Sequence, residues 1–154
     1  MNVLEKRSLR QFISQYLCEI ISIYYRFKGC EIGRKCQISK SAVIDRANPR
    51  GVHIGDHTRV LIQSMILAHD YSRSALPGCS MWLDTRIGHH CVIGGRSMIM
   101  PGVTLGDHVY VAGGSVVTKS FPSNCLIAGN PAKIIRKGTV MNDMGQIIEK
   151  GERV

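Results

Sequence analysis

The sequence predicts a mainly β fold, a parallel β-helix of six-residue repeats, preceded by an amphipathic helix and interrupted by one protruding loop. Three observations carry this. Residues 87–122 divide into six consecutive hexads opened by Ile87, Ile93, Ile99, Leu105, Val111 and Val117. With Ile, Leu and Val at roughly a quarter of the chain, six hits in one register arise by chance about once in four thousand. A period of six matches neither a helix at 3.6 nor a half-buried strand at 2, but it suits a prism in which each side takes one hexad. Finally, aromatic residues are only 6% of the chain while glycine numbers 16, as an aliphatic core with many tight corners requires.

The chain has 154 residues, enough for one domain with a real core. Hydrophobic residues at 44% and charged residues at 20% are ordinary for a soluble protein. The net charge of +9 suits an anionic partner such as a nucleic acid, an acidic membrane surface or a phosphorylated small molecule. A long Lys/Arg block and interleaved aromatics are both missing, which argues against nucleic acid. The six cysteines (Cys18, Cys30, Cys36, Cys79, Cys91 and Cys125) form no C-x-x-C pair and read as free thiols of a reducing cytoplasm.

Residues 3–27 read as an amphipathic helix, with Leu9, Phe12, Ile13, Tyr16, Leu17, Ile20, Ile21 and Tyr24 at helical spacing and Gly29 as the stop. Residues 1–29 are therefore a helical segment. It caps the open end of the rod or contacts another subunit, and its wide apolar face with basic flanks also fits peripheral contact with a membrane. Gln15 and Glu19 make it too polar to span one, and no cleavage-like site follows, so a cytoplasmic protein is expected.

The beat starts with Ile32, Ile38 and Ile44, slips through 46–51, and resumes at Ile54, Val60 and Ile66. It stops at His69-Asp70. Residues 71–86 have no period and carry Pro77-Gly78, so 70–86 is a loop thrown out of the rod. The rod spans 30–137, closing through 126–136, and 138–154 is a polar tail or short helix.

The motifs IMPGVTLGD, GGSVVTK and AGNPAKIIR identify a resemblance. Residues 32–137 resemble the hexapeptide-repeat acyltransferases, most closely the sugar and polysaccharide O-acetyltransferases beside the maltose, galactoside and nodulation-factor enzymes. The resemblance implies a left-handed coil of three hexads per turn and a homotrimer with sites between subunits. It also implies acetyl transfer from acetyl-CoA, without a metal, to a hydroxyl of a sugar or glycan acceptor.

Site residues follow from the same resemblance. Family members place a catalytic His just before the protruding loop, where His69 stands, and a base working near neutral pH suits hydroxyl attack on a thioester. His57 and His108 share its offset within a hexad, so position alone does not select it; with His89 and His90 they read as solvated corner residues. Asp70 and Asp84 are the candidates to orient its ring. Asn48 matches an acceptor-contacting position, and the loop residue Trp82 either substitutes for the Trp that relatives carry at Cys91 or anchors the loop. Gly95 matches the oxyanion-binding backbone N–H. Gly113, Gly114, Thr118 and Lys119 match contacts to the pantetheine arm, and Lys133 and Arg136 align with the cations that meet the CoA phosphates.

Three other readings compete. The acceptor hydroxyl could belong to an antibiotic or a serine-like amino acid. A γ-type carbonic anhydrase needs three convergent histidines, for which His53 and His57 are the only pair in reach. A non-catalytic scaffold needs no site at all.

Overall fold

The computed structural model describes residues 9–154, with side chains from Tyr16 onward. The expected helix start before Leu9 lies outside the described residues. From Glu31 the chain coils into a three-sided, left-handed parallel β-helix. The first face stacks β1 (Glu31–Ile32), β4 (Val52–Ile54), β7 (Thr85–Ile87) and β10 (Thr104–Leu105). The second stacks β2 (Gln37–Ile38), β5 (Arg59–Val60), β8 (Val92–Ile93), β11 (Tyr110–Val111) and β13 (Cys125–Gly129). The third stacks β3 (Val43–Ile44), β6 (Met65–Ile66), β9 (Met98–Ile99) and β12 (Val116–Val117).

Every hexad-opening aliphatic lands in register. Ile32, Ile54, Ile87 and Leu105 form one column; Ile38, Val60, Ile93, Val111 and Ile127 a second; Ile44, Ile66, Ile99 and Val117 a third. Nearly all are fully buried, and the slip at 46–51 and the loop at 70–86 bulge outward without shifting the columns. Burying each such side chain contributes roughly 1.5–3 kcal/mol, and the columns share one core. Cys36 and Cys91 fill small inward positions; burial pushes the Cys91 thiol up to about 12, so it is inert. All six cysteines are free.

Corners need one left-handed residue. Along the first edge these are Lys35, His57, His90, His108 and Asn124; along the second, Gln63, Arg96 and Gly114. The neighbouring glycine has a different cause. A Cβ on Gly94 would lie 2.4 Å from the Val111 carbonyl oxygen, because backbones of adjacent coils close on one another there.

Helix α1 (Leu9–Phe27) packs across β1 and β2 through Ile21, Ser22 and Tyr25. Ser22 Oγ donates to the Cys18 carbonyl at 3.0 Å, and Arg26 Nε to the Ile32 carbonyl at 2.8 Å. Tyr16, Leu17, Ile20, Ile23, Tyr24 and Phe27 face outward, the side that contact with another subunit or a membrane would use. The inward side of α1 meets backbone carbonyls as well as core, so it carries Ser22 and Arg26, and the more apolar side is left outside. Among the described residues no helix is long and apolar enough to cross a membrane.

The end of the chain also differs from a polar tail. After β13, a turn with a cis Asn130–Pro131 bond leads β14 (Ala132–Lys137) back antiparallel. Strands β15 (Val140–Met141) and β16 (Ile147–Glu149) form a hairpin, and β17 (Glu152–Arg153) pairs with β14. Thr139 and Met141 are buried, which gives this polar segment its anchor. Its few apolar residues carry no period, so the pairing was invisible in the sequence.

The two kinds of corner glycine predict different penalties. Gly94→Ala forces backbone apart and is expected to cost about 3 kcal/mol or more in chemical denaturation. Gly114 has φ +72 and nothing within 4 Å of an added Cβ, so Gly114→Ala is expected to cost only the left-handed strain of about 1 kcal/mol.

Candidate active site

The site is built where the regular coil is interrupted. Strand β3 ends at Ile44, and the next residue, Asp45, keeps the register by donating its N–H to the Ile66 carbonyl at 2.9 Å. Its carboxylate is fully buried. Oδ1 accepts from the backbone N–H groups of Ala47 and Asn48 at 2.8 and 3.0 Å. Oδ2 accepts from the Ala68 N–H at 2.7 Å and faces His69 Nδ1 at 2.6 Å. Burial alone would raise the Asp45 carboxyl; these N–H groups and the His69 ring outweigh it and hold it below the ordinary carboxylate range.

An ionised carboxylate can only accept, so Nδ1 of His69 carries the proton and donates it. The lone pair is then on Nε2, at the far side of a ring whose side chain is 31% exposed. A buried anion fixes the tautomer and aims the free nitrogen outward, which is the arrangement a general base needs.

Two further residues steady this pair. Asn48 Nδ2 donates to the Ala68 carbonyl at 2.7 Å, and the Leu83 N–H donates to the same oxygen at 2.9 Å. A Cβ on Gly51 would lie 2.2 Å from Asn48 Nδ2, so the glycine makes room for the amide. Asn48 is thus a brace beneath the base, with its amide nitrogen committed to the chain itself. The loop 70–86 returns beside its start: His69 and Trp82 form an antiparallel bridge, and the Asp70 N–H donates to the Met81 carbonyl at 2.8 Å. The Trp82 indole is 51% exposed, with its ring 6.3 Å from the His69 ring and tilted by 45°. It forms an apolar wall beside the base.

Neither expected orienter serves His69. Asp70 accepts from the N–H and hydroxyl of Ser72 at 3.0 and 2.6 Å, capping the turn Tyr71–Arg73, because adjacency turns its side chain away from the ring. Asp84 pairs with Arg86 at 2.6 Å and faces His53 at 3.5 Å, on the first face of the prism. Sequence reasoning missed Asp45. The signal was there once the columns are drawn: Asp45 lies directly beneath Leu67 and Ala68, an acidic residue at the threshold of the slip.

The other expected residues do not gather around His69. His69 follows the third face, and Thr118 and Lys119 lie further along the same edge, Lys119 Nζ standing 5.7 Å from the Phe121 ring centre. Gly95, Gly113 and Gly114 follow the second face, on another edge. There the Gly114 N–H donates to the Gly95 carbonyl at 2.9 Å, while the Gly95 N–H donates to no described group. A Cβ on Gly113 would lie 3.1 Å from that same carbonyl. Lys133 is exposed on β14, and Arg136 Nη1 donates to the Gly151 carbonyl at 3.3 Å, tied to the C-terminal segment.

The fold has counterparts among known proteins. Residues 84–119 match the bacterial transferase hexapeptide family (six repeats). The chain is 28% identical over 113 residues to the candidate acetyltransferase YvoF of Bacillus subtilis, covering 73% of this chain and 63% of that one. It is 44% identical over 64 residues to a candidate acetyltransferase of Saccharomyces cerevisiae, covering 42% of this chain and 33% of that one. The chain therefore spans less than two thirds of the length of these relatives. Among solved structures, a galactoside acetyltransferase in complex with coenzyme A superposes with a TM-score of 0.54 at 26% identity, covering 82% of this chain and 62% of that one. The polySia-specific acetyltransferase NeuO superposes with a TM-score of 0.59 at 27% identity, over 72% of this chain and 53% of that one.

The depressed Asp45 carboxyl makes a stability prediction with a definite sign. A folded-state value below the unfolded one gives stabilisation that is complete above the ordinary carboxylate value near 3.9 and lost as pH falls through the folded value. Asp45→Asn is expected to lower stability by about 3 kcal/mol at pH 7, since four hydrogen-bonding partners lose their anion. In urea unfolding, the gap between the two proteins should shrink as the pH falls below about 4.

Proposed function

We propose that this chain, whose residues 84–119 match the bacterial transferase hexapeptide family, moves an acetyl group from acetyl-CoA to a hydroxyl of a sugar or surface-polysaccharide unit. The observation that carries this reading is the His69–Asp45 pair, with an outward Nε2 beside the exposed face of Trp82. His69 Nε2 takes the proton as the acceptor oxygen attacks the thioester carbon. The Gly95 N–H receives the charge on the tetrahedral oxygen. The carbon–sulfur bond then breaks, and the thiolate leaves with the proton from His69. No covalent acyl-enzyme is formed. An indole beside the base supports a ring-shaped acceptor, because sugars present an apolar C–H face that packs on an aromatic plane.

The placement of the residues bears on assembly. The base follows the third face and the glycine column follows the second, so one prism alone presents them on separate edges. A homotrimer that sets the third edge of one chain against the second edge of the next completes the site. Gly113, Gly114, Thr118 and Lys119 then line the donor groove, with Lys133 as the cation nearest its phosphate end. The outward stripe of α1 meets its partner outside the chain, in a neighbouring subunit or a membrane surface.

Thiol release from acetyl-CoA, measured over a panel of sugars, glycan fragments, serine and aminoglycosides, tests the reading. Turnover is expected with a sugar or glycan, and His69→Ala is expected to lower kcat by about two to four orders of magnitude. Trp82→Ala should raise KM for the acceptor more than for acetyl-CoA. A folded His69→Ala variant with normal turnover would overturn the mechanism, and turnover with serine or an antibiotic alone would overturn the acceptor class.

A further inference from the structure

Three histidines expected as solvated corner residues form a column instead. His57, His90 and His108 occupy the left-handed position of successive coils on the first edge, with φ of 58, 53 and 55. The His57 and His90 rings are 4.9 Å apart at 13°, and the His90 and His108 rings 4.9 Å apart at 6°. This is the spacing of neighbouring strands, imposed by the register of the first and second faces. The C-terminal segment covers the column, which is why the rings are half-buried.

Ordinary partners satisfy one ring of the column and a neighbour of it. His108 Nδ1 accepts the Met141 N–H at 3.2 Å, and His89 Nδ1 accepts the Asp56 N–H at 2.9 Å. His57 and His90 are different. Their Nδ1 atoms face the two oxygens of Asp143, each at 3.5 Å. His90 Nδ1 is buried and makes no hydrogen bond. The three donor atoms lie within 4.8 Å of one another.

Two accounts of these 3.5 Å separations can be compared. A charged N–H···O⁻ contact settles at about 2.7–2.9 Å. Two ligands on one ion, with bonds of about 2.0–2.2 Å at the tetrahedral angle, lie ~3.4 Å apart. Both distances are compatible with the second account once the stacked rings, 4.9 Å apart, turn toward one another, and two imidazoles with one carboxylate are a donor set that suits zinc.

We propose that His57, His90 and Asp143 bind a divalent transition-metal ion of the zinc class, which fastens the C-terminal hairpin to the first edge of the rod. The rings are nearly parallel, so the ion draws them toward each other by rotation about the soft ring torsion. Water completes the coordination. An adjoining cavity of about 420 Å³, bordered by Glu19, Lys35, His57 and Asp143, gives access from solvent. The site is on a different edge from His69 and takes no part in acetyl transfer, so it stands whether or not that activity is found.

The full chain, stripped with chelator and dialysed, would be titrated with zinc by calorimetry and with cobalt(II) by absorption. One zinc per chain is expected. At a hundredfold excess over Kd, the melting temperature should rise by about 5 °C. His90→Gln should weaken binding at least a hundredfold and Asp143→Asn at least tenfold; Asp143 is exposed, so its replacement leaves folding intact. The cobalt spectrum should lack a sulfur-to-metal charge-transfer band, which separates this site from the exposed Cys79. Absence of stoichiometric zinc binding below ~100 µM, binding unchanged in Asp143→Asn, or a thiolate band that persists would each overturn the proposal.

Discussion

Vertical register is the constraint on which the rest of this protein depends. Each coil must place an aliphatic directly over the one below, on three faces at once. A strand here is two or three residues long, so no single pairing is worth much. The structure holds because the columns share one dry core and every mismatch would open a void in it. Two devices protect the register: a left-handed residue at corners, and glycine where coils close on one another, as Gly94 does against Val111. Irregular segments are tolerated only where they leave the prism outward.

The candidate site residues collect at those exits. Between Ile44 and Val52 the slip carries Asp45 and Asn48; between Ile66 and Thr85 the loop carries His69 and Trp82. Because Ile44 and Ile66 are neighbours in one column, the two exits lie one above the other on the third edge. The lower interruption supplies a buried anion and a bracing amide, the upper one a base and an aromatic wall. Three backbone N–H groups replace the water that Asp45 loses, and that satisfaction lets a carboxylate sit in the core at all. The rigidity of the columns reaches the reactive nitrogen through this one oxygen.

How legible this was in the sequence varied with the length of the signal. The hexad columns were legible because a sixfold repeat leaves little else to satisfy it, and the loop stood out as the break in the beat. His69 was legible only through its loop and its family resemblance, since other histidines share its offset. Asp45 was missed because the search looked along the chain, to Asp70 and Asp84, when the relevant neighbour lies one coil below. The same omission hid the histidine column. His57, His90 and His108 look like unrelated turn residues until the coils are superposed, and the Asp143 that faces two of them comes from a segment with no periodic signal. Which face of α1 turns inward is not legible from its apolar spacing, because the helix packs on backbone carbonyls as well as side chains and its inward side need not be its most apolar one.

A prism with one residue type per edge position also limits what one chain can do. Side chains at a corner reach along their own edge, up and down the stack, and away from the core; they do not reach round a face to the next edge. His69 therefore has the Lys119 edge within its reach, and the Gly95 N–H has the Gly114 edge within its own. Chemistry that needs both a base and an oxyanion donor is incomplete on one rod, and the proposed trimer would bring the two edges together. A groove between two such edges would be straight, since each wall would be a column of repeating positions. The parts that are not repeated, Trp82 and the loop around it, are where one such rod differs from another beside His69.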